Sequence, residues 1–195
     1  METKTYKELL AGIDTFLFDV DGVFTDGTVQ LAPGIDPVRT FFTRDAYAVQ
    51  HALKEGLRII VCTGGISDGI GQSLARLGVK EYHFSVKDKS AKLDELIAST
   101  GLNPARCAYM GDDIPDLRVM QRTGLPCCPA DAAAEVKAIS RYVSRFPGGR
   151  GCVRDVLEQA SRAVGLPAAA GFIASNGSEY GPYRKFYQTA PTQLR

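Results

Sequence analysis

The chain carries almost no excess charge: 23 Lys and Arg stand against 22 Asp and Glu, a formal net of +1. That balance excludes a global electrostatic pull toward nucleic acid or an anionic membrane surface. Histidine is scarce, and the two present, His51 and His83, match no metal-ligand spacing. Both read as structural or surface residues. The five cysteines are odd in number and form no C-x-x-C pair, which reads as reduced, buried thiols in a reducing compartment. No apolar run approaches the length of a membrane span, and residues 1–8 are polar, without a signal-like apolar core. No internal repeat is visible. The expectation is a cytoplasmic protein without a membrane or nucleic-acid partner. Its 195 residues suffice for one well-buried domain and are few for two.

What is present centres on Phe16-Leu17-Phe18-Asp19-Val20-Asp21-Gly22. An apolar run of strand character ends abruptly in two carboxylates, and Gly22 permits a sharp turn just after them. Similar runs recur at 57–62, 107–110 and 125–128, with shorter strands at 81–84 and 142–143. Helical patterns fall between them at 45–55, 67–77, 89–99, 114–122 and 132–139, with further helices at 6–11 and 153–163. Residues 27–31 and 38–42 flank a Pro-, Gly- and Asp-rich turn at 32–37 and read as a β-hairpin or flap. Alternating strands and helices predict an α/β fold, a Rossmann-like three-layer sandwich around a central parallel sheet. Residues 1–164 form the expected domain. The tail, 165–195, has no convincing periodicity and reads as either a flexible terminus or a segment docking on another subunit.

In such sheets ligands gather outside the C-terminal ends of the strands. Three polar clusters stand there: Asp19 with Asp21, Thr63 with Gly64, and Asp112 with Asp113. Asp19 suits a nucleophile and metal ligand, because carboxylates attack phosphorus and split one hard displacement into two easier ones. Mg²⁺, held by one or two carboxylates, would neutralise the phosphate, with Asp112 as second ligand. Asp21 suits the acid–base role. Thr63 offers a hydroxyl and Gly64 an unhindered N–H to phosphoryl oxygens. Lys89 starts a helix, where ammonium and helix N-terminus both favour an anion. Asp116 completes an acidic group with Asp112 and Asp113 at a strand-to-helix junction.

Together these pieces resemble the haloacid dehalogenase-like phosphohydrolase superfamily. Asp19-Val20-Asp21-Gly22 matches its first motif, Thr63-Gly64 its second, Lys89 its third, and Gly111-Asp112-Asp113 with Asp116 its fourth. Residues 42–47 and Gly148-Gly149-Arg150-Gly151-Cys152-Val153-Arg154 narrow the resemblance to the 3-deoxy-D-manno-octulosonate 8-phosphate phosphatases. That resemblance implies a Mg²⁺-dependent homotetramer without a cap domain, acting on a phosphosugar. It also implies a metal held by Asp19, the backbone carbonyl of Asp21 and Asp112. Arg44, Asp45 and Arg150 join the expected substrate-binding set, with Asp113 and Asp116 behind the metal. The chain departs from the family pattern at Gln50, Gly65 and Ser73, where the octulosonate enzymes usually carry arginines. A phosphatase for a nine-carbon sugar acid 9-phosphate is the alternative substrate reading. A catalytically silent assembly module would be marked by loss of Asp19, Asp21 or Lys89, and all three are present.

Overall fold

The strand β1 (Thr15–Phe18) lies inside a six-stranded, all-parallel sheet, hydrogen-bonded on one side to β4 (Arg58–Cys62) and on the other to β6 (Cys107–Met110). The computed structural model describes residues 4–163. Beyond these three strands lie β5 (Glu81–His83) at one edge and β7 (Leu125–Cys128) and β8 (Tyr142–Val143) at the other, giving the order β5-β4-β1-β6-β7-β8. All four residues of β1, β6 and β7 are buried, as strands covered on both faces must be. The chain therefore runs outward from β1 on one side, returns, and runs outward on the other. The reversal falls between β1 and β6, which opens a crevice at their C-terminal ends.

Alternation along the strands sorts the core into two layers. Phe16, Phe18, Ile59, Val61, Ala108 and Met110 face α1 (Tyr6–Leu10), α2 (Thr43–Lys54), α3 (Asp68–Leu77) and α7 (Cys152–Ala163). Leu17, Ile60, Cys62, Cys107, Tyr109 and Cys128 face α4 (Lys89–Thr100), α5 (Leu117–Met120) and α6 (Ala134–Ile139). All five cysteines are free and buried. Their thiols sit in apolar surroundings, and burial pushes Cys62 up to about 12 and Cys107 up to about 11. Among the described residues no helix is long and apolar enough to cross a membrane.

The elements fall where the periodicity places them, with two differences. The hairpin strands are β2 (Gln30–Ala32) and β3 (Ile35–Val38), so the turn is tighter and the strands lie nearer to it than the sequence pattern suggests. Pro37 can sit inside β3 because a two-stranded ribbon leaves an edge that needs no N–H donor. The expected helix at 114–122 is instead a 3-10 turn, Ile114–Asp116, followed by the short α5. Asp116 is drawn inward there, its Oδ2 accepting from the Asp112 N–H at 3.3 Å. Among the described residues only the β2–β3 hairpin and α2 separate β1 from β4, a connection too short to hold a cap domain. The tail reading, 165–195, lies outside the described residues.

Asp45 holds two halves of one layer together. It is fully buried on α2, and its carboxylate accepts from the Gly151 N–H at 3.1 Å and the Arg154 N–H at 2.7 Å, across the N-terminus of α7. A carboxylate there satisfies two otherwise orphaned donors and meets the positive end of the helix dipole. Burial nonetheless raises its pKa to about 6. Asp45→Ala is expected to lower unfolding stability by roughly 2–3 kcal/mol, since buried donors lose their acceptor. Urea denaturation followed by circular dichroism checks this, and a loss below about 0.5 kcal/mol, the range of ordinary surface substitutions, would contradict it.

Candidate active site

Asp19 follows β1 directly and is 8% exposed. Its Oδ1 accepts from the Val20 N–H at 2.7 Å, and its Oδ2 lies 2.8 Å from Lys89 Nζ. Lys89, 8% exposed, opens α4, where Asp88 caps the helix by accepting from the Ser90 and Ala91 N–H groups. Its ammonium also reaches Asp116 Oδ1 at 2.6 Å. Asp116 is 1% exposed and accepts in addition from the Tyr109 hydroxyl at 2.8 Å. One buried cation thus joins β1, α4 and the turn after β6. Burial works against the charge on Lys89, yet Asp19 and Asp116 outweigh it and raise its pKa.

Asp112 completes the group. Carboxylate oxygens of Asp19, Asp112 and Asp116 all lie within 4.8 Å of one another. Burial, with Lys89 only partly offsetting it and Asp116 adding like charge, raises Asp19 to about 6. Burial and the charges of Asp19 and Asp116 raise Asp112 to about 7. Three oxygen donors with surplus negative charge fit a hard divalent cation such as Mg²⁺. Gly22 makes the approach feasible: a Cβ at that position would stand 2.0 Å from Asp112 Oδ2, and its φ of +84° is one that side chains rarely adopt. Asp116 belongs to this cluster by distance, but its oxygens already accept from Lys89, Tyr109 and the Asp112 N–H. It acts as the anchor of the lysine.

Asp21 points elsewhere. Its carboxylate is clamped by Arg39, which donates from Nε to Oδ1 at 2.7 Å and from Nη2 to Oδ2 at 3.0 Å. The Thr25 hydroxyl donates to Oδ1 at 3.2 Å. Oδ2 keeps a lone pair, and the side chain is 31% exposed, so the carboxylate can still accept a further hydrogen bond. Arg39 leaves β3 at the foot of the hairpin and escaped the sequence reading. The only signal was a lone basic residue in the apolar, β-branched run Val38-Arg39-Thr40-Phe41.

Thr63 is buried at the end of β4, and its Oγ1 accepts from the Gly65 N–H at 3.3 Å. Gly64 beside it is exposed. Asp113 is exposed and its side chain caps nothing. Arg44 and Arg150 lie in a separate cavity of about 250 Å³, together with Phe42, Arg145, Phe146 and Arg154. Asp45 is committed to the N-terminus of α7, which gives it a positioning task rather than a surface on which substrate could rest. His51 lies on α2 and His83 on β5, and neither enters the acidic group.

The raised carboxyl values fix a sign for stability. Without metal the folded protein binds more protons than the unfolded chain between the unfolded value, about 4, and the folded values of about 6 and 7. Stability contributed by these carboxyls is present below that window and lost as pH rises through it. In metal-free buffer the melting temperature is expected to fall between pH 5 and pH 8. Asp112→Asn should flatten that fall, and an equal slope in both proteins would contradict the electrostatic account.

The chain is similar to known phosphatases over most of its length. No family model matches the chain. The 3-deoxy-D-manno-octulosonate 8-phosphate phosphatase of Escherichia coli K12 is 31% identical over 146 residues, covering 75% of this chain and 78% of the relative. The Moraxella catarrhalis 3-deoxy-D-manno-octulosonate 8-phosphate phosphatase, solved in complex with magnesium, phosphate and the sugar acid, superposes with a TM-score of 0.80 at 27% identity, covering 87% of this chain and 96% of that one. The cobalt-bound Haemophilus influenzae enzyme gives a TM-score of 0.79 at 28% identity, covering 87% and 98%. A buried aspartate–lysine pair at the switch point of a parallel sheet, joined to this similarity over most of the sequence, places the chain in the 3-deoxy-D-manno-octulosonate 8-phosphate phosphatase family of haloacid dehalogenase-like phosphomonoesterases.

Proposed function

We propose that this phosphatase hydrolyses 3-deoxy-D-manno-octulosonate 8-phosphate to the free sugar acid and phosphate, with Mg²⁺ as its metal. One observation carries the reading: Asp19, buried at the end of β1, stands 2.8 Å from Lys89 within a group of three carboxylates. The sugar follows from the substrate named for the relatives.

Asp19 attacks phosphorus, forming an aspartyl-phosphate as the bond to the sugar oxygen breaks. Asp21 supplies the proton to that oxygen, then takes one from the water that hydrolyses the intermediate, and Asp19 is regenerated. Lys89, the Thr63 hydroxyl and the Gly64 N–H hold the phosphoryl oxygens, which suits a reaction governed by positioning and charge neutralisation. Asp19, the backbone carbonyl of Asp21 and Asp112 would hold Mg²⁺, which supplies neutralising charge to the phosphoryl group. Arg44 and Arg150 serve the substrate or the subunit boundary from their own cavity, and Asp113 adds exposed negative charge behind Asp112.

The protein works as a cytoplasmic homotetramer assembled through the hairpin. Leu31, 80% exposed, and Val38, 52% exposed, support this, because a two-stranded ribbon with apolar side chains in water gains from burial against copies of itself.

Asp19→Asn is expected to lower kcat at least about 1,000-fold in a phosphate-release assay with Mg²⁺, and full activity in that variant would refute the nucleophile. Across a panel of phosphosugars that includes the nine-carbon 9-phosphate, the octulosonate ester should show the highest kcat/KM. A Leu31→Glu/Val38→Glu double variant should scatter light as a species smaller than the wild type, and an unchanged mass would remove the hairpin from the interface.

A further inference from the structure

We infer that the cavity between the β2–β3 hairpin and α3 is the subsite for the leaving sugar acid, and that Arg39 sets specificity there by gripping the sugar's carboxylate. The inference rests on the phosphatase reading and adds where the non-phosphate half of the substrate binds.

The cavity measures about 340 Å³ and is lined by Asp36, Arg39, Phe41, Ser67, Ile70 and Ser73, among others. Small-molecule pockets run from about 300 to 1,000 Å³, so one monosaccharide fits. Phe41 and Ile70 give an apolar wall and the two serines give hydroxyls, a mixture suited to a sugar. Asp36 is the one acid in the lining, and it is turned toward α3, where its Oδ2 accepts from the Asp68 N–H at 3.2 Å.

Arg39 connects this cavity to the chemistry. It donates twice to Asp21 and once, from Nη1, to the Pro37 carbonyl at 3.3 Å. A guanidinium has five N–H groups, so one remains on each terminal nitrogen. A carboxylate accepts such a pair through both oxygens, which is the geometry arginine recognises best. The same side chain can therefore hold Asp21 by one edge and the substrate by another, fixing the leaving sugar beside the residue that protonates it. Its side chain is 8% exposed, so the remaining donors are partly desolvated already.

Gly65 keeps the place open. A Cβ there would stand 3.0 Å from Arg39 Nη2 and 3.4 Å from Asp21 Oδ2. Any side chain at that position presses on the pair, so the absence of one at 65 and the presence of arginine at 39 belong together.

The test compares kcat/KM for 3-deoxy-D-manno-octulosonate 8-phosphate with that for acetyl phosphate, which has neither sugar nor carboxylate. Wild type, Arg39→Ala, Arg39→Lys and Gly65→Ala are assayed with Mg²⁺. The octulosonate-to-acetyl ratio should fall roughly 10- to 100-fold in Arg39→Ala, the size of a lost charge-assisted hydrogen bond, mainly through KM. Arg39→Lys should recover part of it, and Gly65→Ala should move the same way as Arg39→Ala. Calorimetric titration with the free sugar acid gives a second readout without turnover, and Ser73→Phe, which fills the cavity, should weaken that titration too. Losses carried by kcat alone, with KM for the octulosonate ester unchanged, would mean that Arg39 acts only through Asp21 and would overturn the subsite, even if the ratio falls, because acetate leaves without the proton that the sugar oxygen needs. A wild type that releases phosphate from none of the esters would sink the phosphatase reading instead. The titration still decides the subsite in that case: free sugar acid bound as tightly by Arg39→Ala as by wild type overturns it.

Discussion

One buried ammonium holds this site in shape. Lys89 stands between Asp19 and Asp116, with side-chain exposures of 7%, 11% and 1%. Taking such charges out of water is costly, and the arrangement persists only because each has an opposite charge and further hydrogen bonds. Asp116 has Tyr109 and the Asp112 N–H, and Asp19 has the Val20 N–H. The three groups come from parts of the chain that are far apart in sequence: the end of β1, the start of α4 and the turn after β6. The switch point between β1 and β6 is therefore both where the topology leaves a crevice and where the charges must converge to be tolerated. The 3-10 turn at Ile114–Asp116 is a local consequence, since Asp116 has to turn back toward Lys89 before α5 can begin.

The charge balance is incomplete by design of the residues present. Three carboxylates share one lysine, and the raised values of Asp19 and Asp112 are the electrostatic sign of that shortfall. Phosphate, itself anionic, would be repelled by such a site unless the shortfall were reversed. Asp21 escapes the crowding because Arg39 neutralises it from the hairpin side. The four acids thus divide into a lysine-anchored group and an arginine-held one, which separates the surroundings of Asp19 from those of Asp21.

Much of this was legible in the sequence, and the boundary has a physical cause. The strands declared themselves as continuous apolar runs because a parallel sheet is covered on both faces. The acids at 19, 21 and 112 and the lysine at 89 could be placed together because strand ends in this fold class share one edge. Arg39 could not, because its partnership with Asp21 spans the hairpin and leaves no periodic trace. The capping role of Asp45 was hidden for a similar reason: its partners, the Gly151 and Arg154 N–H groups, are backbone atoms more than a hundred positions away. The helix expected at 114–122 had adequate periodicity, but the pull on Asp116 is a tertiary force that periodicity does not register. The resemblance puts Arg44 and Arg150 in the substrate-binding set, and the folded chain sets both in a cavity whose lining includes none of Asp19, Asp21 and Asp112.

The loop that follows β7 and β8 closes over the first motif. A Cβ at Gly148 would lie 2.0 Å from the Gly22 carbonyl oxygen, one at Gly149 would lie 2.5 Å from the Thr25 carbonyl carbon, and the Gly149 N–H donates to the Val23 carbonyl at 2.9 Å. The loop carrying Asp21 is thus walled by backbone made more than a hundred residues later. During synthesis Asp19 emerges early, but the turn after it acquires these neighbours only once the Gly148-Gly149 segment has been made. Such long-range closure is slow relative to local helix formation. The first motif made therefore completes its native packing only with a segment made more than a hundred residues later.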